Sequence, residues 1–234
     1  MKDKQIVVFG TGEIAELANF YFTTDSDFEV VAFCCDKEYK DADQFCKLPL
    51  IAFEDIEKKY PPSEYEMHVA LSYTKLNKVR EQKYNEAKAK GYSLVNYICS
   101  KSVRWDDLVI GDNCFILENQ TIQPTVKIGN NVMIWSGNHL GHGCEIGDHT
   151  YLSSHICISG HTKIGERCFI GVNSAFKDFI EIGDDVFIGM GASVVKDIPS
   201  NSAVLSSQST IFEPEHKVTQ SIRKNYFKIV EKKL

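Results

Sequence analysis

The stretch GNHLGHGCEIG, from Gly137 to Gly147, places His139, His142 and Cys144 within six residues. These side chains are suited to two kinds of chemistry. A histidine titrating near neutrality can remove a proton from an attacking amine or hydroxyl. Histidine and cysteine together can hold zinc, which needs three protein ligands and an open position for catalysis. Near the N-terminus, Gly10, Gly12 and Ala15 spell G-x-G-x-x-A directly after the apolar run Gln5–Phe9. Two glycines there let a strand turn sharply and bring backbone N–H groups to a phosphate at a helix N-terminus.

What positions the histidines is a repeat. From Gly111 the chain divides into sixes without remainder: GDNCFI LENQTI QPTVKI GNNVMI WSGNHL GHGCEI GDHTYL SSHICI SGHTKI GERCFI GVNSAF KDFIEI GDDVFI GMGASV. Every block ends in an apolar residue, and glycine often follows it. This is the hexapeptide signature of a parallel β-helix. Three hexads make one triangular coil, so residues 18 apart stack at about 4.8 Å, the strand-pairing distance. In this phase Leu140 and Ile146 are corners, while Asn138 and Cys144 point inward. Cys114, Cys144 and Cys168 share the small inward position and read as core fillers. Gln120 and Asn138 also point inward, 18 apart, and predict a buried amide ladder. His149, His155 and His161 sit one hexad apart, so they leave from three different edges of the coil.

The first hundred residues read as a small parallel α/β domain. Strands are expected at Gln5–Phe9, at EVVAFCCD, at HVALS (68–72) and at LVNYI, with a helix over KVREQKYNEAKAKG. The domains are expected at 1–100 (Rossmann-like, nucleotide-sugar-binding), 101–205 (β-helix) and 206–234, a C-terminal extension. The tail HKVTQSIRKNYFKIVEKKL reads as a basic amphipathic helix with Val218, Ile222, Phe227 and Val230 on one face.

The 234 residues carry a net charge of −6, which speaks against nucleic acid as the main partner. No apolar run is long enough to insert in a membrane. The start MKDKQIVVFGTGE lacks a signal-peptide pattern, and the eight cysteines form no CxxC pair. A cytoplasmic protein with reduced thiols is expected.

The order VVFGTGE, then GHGCEIGD, ISGHTKIGERCFIGVNS and IGMGASVVKDIP, resembles the bacterial sugar acyltransferases. These include sialic-acid O-acetyltransferase-like enzymes and acetyl-CoA-dependent N-acetyltransferases of nucleotide-linked 4-amino-sugars used in surface glycans. The resemblance implies a left-handed β-helix, a homotrimer, and acetyl-CoA lying in grooves between adjacent helices. It implies His142 as general base and the Gly160 N–H as oxyanion donor. It assigns Gly160, His161, Ser174, Gly191 and Ala192 to the cofactor through their backbone, with Lys196 as a phosphate or pantetheine neighbour. Gly10, Thr11, Gly12 and Glu13 become the diphosphate loop, and Asp36 the contact to base or ribose. His139 is assigned to the acceptor side of the groove. Apart from the resemblance, the C-terminal helix is expected to pack on its own trimer, the alternative being that Arg223, Lys224 or Lys228 meets the CoA 3′-phosphate.

Two departures from the family pattern stand out. Gly143 occupies the place where an acid often orients the histidine, which leaves Glu145, Asp148 or a backbone carbonyl for that role. A closing GxPAK-like turn is replaced by NSAVLSSQSTIFEPE. Three rival readings remain open. They are a sugar O-acetyltransferase of the same fold, a trimeric carbonic-anhydrase-like zinc enzyme, and a scaffold that only binds a nucleotide sugar.

Overall fold

A computed structural model describes residues 4–106, 108–207 and 209–226. The N-terminal unit is built on β1 (Lys4–Phe9), which has Ile6, Val7, Val8 and Phe9 buried on both of its faces. A strand apolar on both faces belongs in the middle of a covered parallel sheet. It lies there, between β2 (Phe28–Cys35) and the later strand Glu66–Val69. α1 (Glu13–Thr24) connects β1 to β2 and buries Ala15, Ala18 and Phe22, the spacing of one helical face. β3 (Gln44–Phe45) and β4 (Leu48–Ala52) form a hairpin, with β4 parallel to β2. Counting Glu66–Val69 as β5, the sheet order is β3-β4-β2-β1-β5. α2 (Lys78–Ala89) follows.

One sequence expectation is corrected here. LVNYI does not become a fourth strand of this sheet. Leu94 makes a single parallel bridge to Met67, and then Tyr97–Ile98 pair with Phe115–Ile116 in the next domain. The segment leaves one sheet and begins the other, because Tyr97 is buried between the two domains.

The second domain is a parallel β-helix with three faces. Its first face runs from Tyr97–Ile98 through Phe115–Ile116, Met133–Ile134, Tyr151–Leu152, Phe169–Ile170 and Phe187–Ile188 to Ala203–Val204. The second runs from Thr121–Ile122 through His139–Leu140, Cys157–Ile158 and Ala175–Phe176 to Ser193–Val194. The third runs from Val109–Ile110 through Lys127–Ile128, Glu145–Ile146 and Lys163–Ile164 to Glu181–Ile182.

Each hexad turns at the same place. From residue 113 to residue 191, every sixth residue has φ between 54° and 81°. Glycine and asparagine take this left-handed conformation readily, but His149, His155, His161, Arg167 and Phe179 occupy it too, at a cost on the order of 1 kcal/mol each.

The inward residue that follows has a second task beyond filling space. Cys114, Thr150, Thr162, Cys168 and Ser174 each donate to a backbone carbonyl 15 residues ahead, and Cys144 does the same to Ser159. Most of these bonds are part-buried, and leaving such a carbonyl unpaired would be costly. In the amide ladder Gln120 does the same. Gln120 donates to the Trp135 carbonyl and accepts from the Asn138 N–H, and Asn138 accepts from the Ile156 N–H. Burial pushes the Cys168 thiol up to about 11 and the Cys114 thiol up to about 12, so neither is a nucleophile.

The N-terminal domain packs on the first face, covering Phe115, Met133 and Tyr151. α2 closes the turn column formed by Asn113, Asn131, His149, Arg167 and Asp185. The Asn113 amide bridges Val69 and Asn131, and Asn131 meets the His149 Nδ1 at 2.9 Å. Arg80 is buried and donates to the carbonyls of Asn131 and His149 and to the Asn77 side chain. Asn77 in turn donates to the Arg167 and Cys168 carbonyls.

At the far end, Lys217–Ser221 is α-helical, and Ile222–Tyr226 continue with a wider turn. Val218 and Ile222 lie in this stretch, whereas Phe227, Lys228 and Val230 lie outside the described residues.

Candidate active site

His142 stands at the turn from the second face to the third, two places after the corner Leu140. It is exposed, and two contacts fix it. Its backbone N–H donates to the Gln123 Oε1 at 2.8 Å, and its ring Nδ1 lies 3.2 Å from the same oxygen. The backbone contact identifies that atom as oxygen, since an N–H must face an acceptor. The ring nitrogen facing it is therefore the one carrying the proton, and in the neutral ring the Nε2 lone pair is free.

Gln123 lies one coil below Gly141. Gly141 itself is pressed against the coil above. A Cβ at Gly141 would sit 2.7 Å from the Gly160 nitrogen.

Gly143 is also explained. It is a left-handed turn residue with φ +68°, and a Cβ there would meet the His161 Nδ1 at 2.5 Å. The two acids named as alternative orienters are engaged elsewhere. Glu145 pairs with Lys127 at 3.2 Å, and Asp148 accepts from the Asn130 backbone and side chain.

Gly160 lies directly over His142. A Cβ at Gly160 would be 2.8 Å from the His142 Cε1. Among the described residues the Gly160 N–H has no hydrogen-bond partner, while its carbonyl accepts from Phe179. Register puts His142, Gly160 and Asp178 in one column along this edge. Lys196 follows the corner Val194 on the same side, in a last coil that is two residues shorter, since Ile198 bridges Ile182. The next column holds His161, edge-on to the His142 ring at 4.9 Å and stacked on Phe179 at 4.9 Å.

The other assigned positions fall elsewhere. Ser174 and Ala192 are buried, with side chains inside the β-helix, so only their backbone can face a groove. Gly191 lies on the turn from the first face to the second, with φ +68°. His139 is half-buried on the second face, between Thr121 and Cys157. Among the described residues, no three His, Cys, Asp or Glu side chains converge as metal ligands.

In the α/β domain, Gly10 has φ +133°, and a Cβ there would clash with the Ala70 carbonyl at 2.5 Å. Its N–H is spent on Cys34, whereas those of Thr11, Gly12 and Glu13 are free among the described residues. Gly12 and Glu13 line a cleft of about 470 Å³, with Ser72, Tyr73, Trp135 and Tyr151 among its other walls. Asp36 is not in that lining. It is held by Lys83 at 2.8 Å. The aromatic wall of the cleft went unread in the sequence because Trp135 and Tyr151 sit at ordinary repeat positions.

Residues 107–140, 125–155 and 161–196 match the family model described as bacterial transferase hexapeptide (six repeats). The fold is thus a left-handed hexapeptide β-helix behind an α/β domain. Solved structures share the whole arrangement. One is PerB from Caulobacter crescentus in complex with CoA and GDP-perosamine, with TM-score 0.76, 22% identity, and coverage of 90% of this chain and 98% of that one. Another is the acetyltransferase domain of PglB from Neisseria gonorrhoeae FA1090 in complex with acetyl coenzyme A, with TM-score 0.75, 20% identity, and coverage of 87% and 96%. WeeI from Acinetobacter baumannii AYE follows at TM-score 0.55 and 19% identity, covering 89% and 100%. A search of curated protein sequences returns no match. No helix among the described residues is long and apolar enough to cross a membrane.

Proposed function

We propose that the chain is an acetyl-CoA-dependent N-acetyltransferase acting on a nucleotide-linked amino-sugar, with His142 as general base. The observation that carries this reading is one edge of the β-helix. There, a histidine with its Nε2 lone pair exposed lies against an unpartnered backbone N–H, that of Gly160. The solved structures that share this fold with CoA, acetyl coenzyme A or GDP-perosamine bound support the substrate class.

The acceptor amine attacks the thioester carbonyl. A C–N bond forms, and the carbonyl oxygen takes the negative charge, which the Gly160 N–H receives. The His142 Nε2 accepts the amine proton. Collapse breaks the C–S bond, and the imidazolium returns its proton to the departing thiolate. The Gln123 oxygen holds the ring in the required tautomer throughout. Lys196 is placed for a phosphate of the extended cofactor.

The cleft and His142 lie on opposite edges of the second face. Gly191, Ser174 and Ala192 lie with the cleft edge, whereas Gly160, His161 and Lys196 lie with His142. A homotrimer packed through these faces brings one chain's cleft edge to its neighbour's His142 edge. It also covers Val172, Met190 and Phe179, which are exposed in the single chain. Acetyl-CoA then lies between two β-helices.

The test is thiol release from acetyl-CoA against UDP-, dTDP- and GDP-linked amino-sugars, with the product's acetyl position read by NMR. Release with at least one of these and an acetamide in the product is expected. Activity confined to free sugars would remove the nucleotide-clamp part of the reading.

A further inference from the structure

The cleft beside α1 contains a hydrogen-bond donor with no acceptor. The Trp135 indole N–H donates to the Tyr151 hydroxyl. An indole nitrogen can only donate, so the direction of this bond is fixed. The phenol oxygen is the acceptor and keeps its own proton. Among the described residues, no group receives that proton. Tyr151 is 4% exposed, and its small open area faces the cleft. Burial raises its pKa to about 12, which keeps the phenol protonated. The ring is immobilised by stacking on Phe169 at 5.4 Å and by the edge of Tyr73 at 5.0 Å.

The two ends of the cleft differ in chemistry. At the α1 end, the N–H groups of Gly12 and Glu13, free among the described residues, suit a phosphate. At the β-helix end, Trp135 and the half-exposed Tyr73 offer aromatic surface beside the single phenolic donor, and neither lysine nor arginine lines the cleft. Aromatic area with one directed donor suits the C–H face and hydroxyl oxygens of a pyranose better than a charged group.

We propose that Tyr151 is a specificity-determining residue that reads the sugar of the acceptor, donating its hydroxyl proton to a pyranose oxygen, with Trp135 as the positioning residue that aims it. This rests on the cleft being the site of the nucleotide-linked sugar.

The test is calorimetric titration of wild type, Tyr151→Phe and Trp135→Phe with bare UDP, dTDP and GDP and with the same nucleotides carrying a 4-amino-sugar. Tyr151→Phe keeps the ring and its packing. It is expected to bind the preferred sugar conjugate about tenfold more weakly, the value of one directed hydrogen bond, with affinity for the bare nucleotide unchanged. Trp135→Phe is expected to show the same selective loss. Unchanged affinity for the conjugate in Tyr151→Phe overturns the proposal, as does an equal loss for conjugate and bare nucleotide. If wild type binds neither, the reading of the cleft fails and takes this proposal with it. Wild-type binding of the conjugate without the selective loss overturns only the role of Tyr151.

Discussion

The proposed base, its orienting amide and the proposed oxyanion donor come from three successive coils: Gln123, His142 and Gly160. In the sequence, His142 was singled out by resemblance, and the hexad phase added that it turns outward whereas Cys144 points inward. Gln123 was not, because it lies 19 residues away and reaches His142 only through the return of the coil.

Three outcomes are expected at this scale. Gln123→Ala lowers kcat by about tenfold or more with little change in KM, because the wrong tautomer becomes populated. Gln123→Glu retains orientation but adds a negative charge that favours the protonated ring, so the acidic limb of the pH–rate profile moves to higher pH. A Gln123→Glu profile superimposable on wild type would remove the orienting role. Gly160→Ala presses a methyl group onto the His142 ring, so turnover should fall about a hundredfold while circular dichroism stays unchanged.

At the scale of elements, the repeat was fully readable, since corner residues, inward cysteines and the amide ladder follow from a period of six. The turn chemistry explains features that composition leaves puzzling. His149, His155 and His161 are left-handed turn residues, and Gly137 and Gly143 lie beneath the rings of His155 and His161. The α/β domain was less legible. The β3–β4 hairpin contains Pro49 within a very short strand pair, and LVNYI has the pattern of a sheet strand whichever domain claims it.

Arg80 belongs to this scale. A helix rich in lysine and glutamate hides one guanidinium that satisfies two turn carbonyls of the other domain. Arg80→Ala is expected to cost about 3 kcal/mol, because buried carbonyls lose charged donors. Thermal unfolding by calorimetry would measure it. A melting temperature within a degree of wild type would show that the contact contributes nothing.

For the whole molecule, His68 links fold stability to pH. It is buried in the α/β domain against Phe22 and Phe115, with Nδ1 facing the Val95 carbonyl at 2.9 Å. Burial lowers its pKa from 6.5 to about 4. Below pH 6.5 the unfolded chain binds a proton that the folded chain refuses. Stability therefore falls as pH drops, and the loss is complete near pH 4, at about 3 kcal/mol from this residue. His149, also lowered by burial, acts in the same direction. His68→Gln, which can still donate to Val95, should flatten the dependence of melting temperature on pH between 7 and 4. An unchanged slope would contradict the assignment.

The proposed trimer makes its own prediction. Mixed assemblies of His142→Ala chains and chains with a blocked cleft, such as Ser72→Trp, should recover activity that neither variant has alone. No recovery would place both halves of the site in one chain.

The central claim is that His142 removes the acceptor's proton during acetyl transfer, and its most direct measure is kcat/KM for thiol release by wild type and His142→Ala. The reaction is acetyl-CoA with the nucleotide-linked amino-sugar that wild type prefers. A fall of about a thousandfold is expected, with the same assembly mass and unchanged CoA affinity. A rate within a few-fold of wild type would contradict the account.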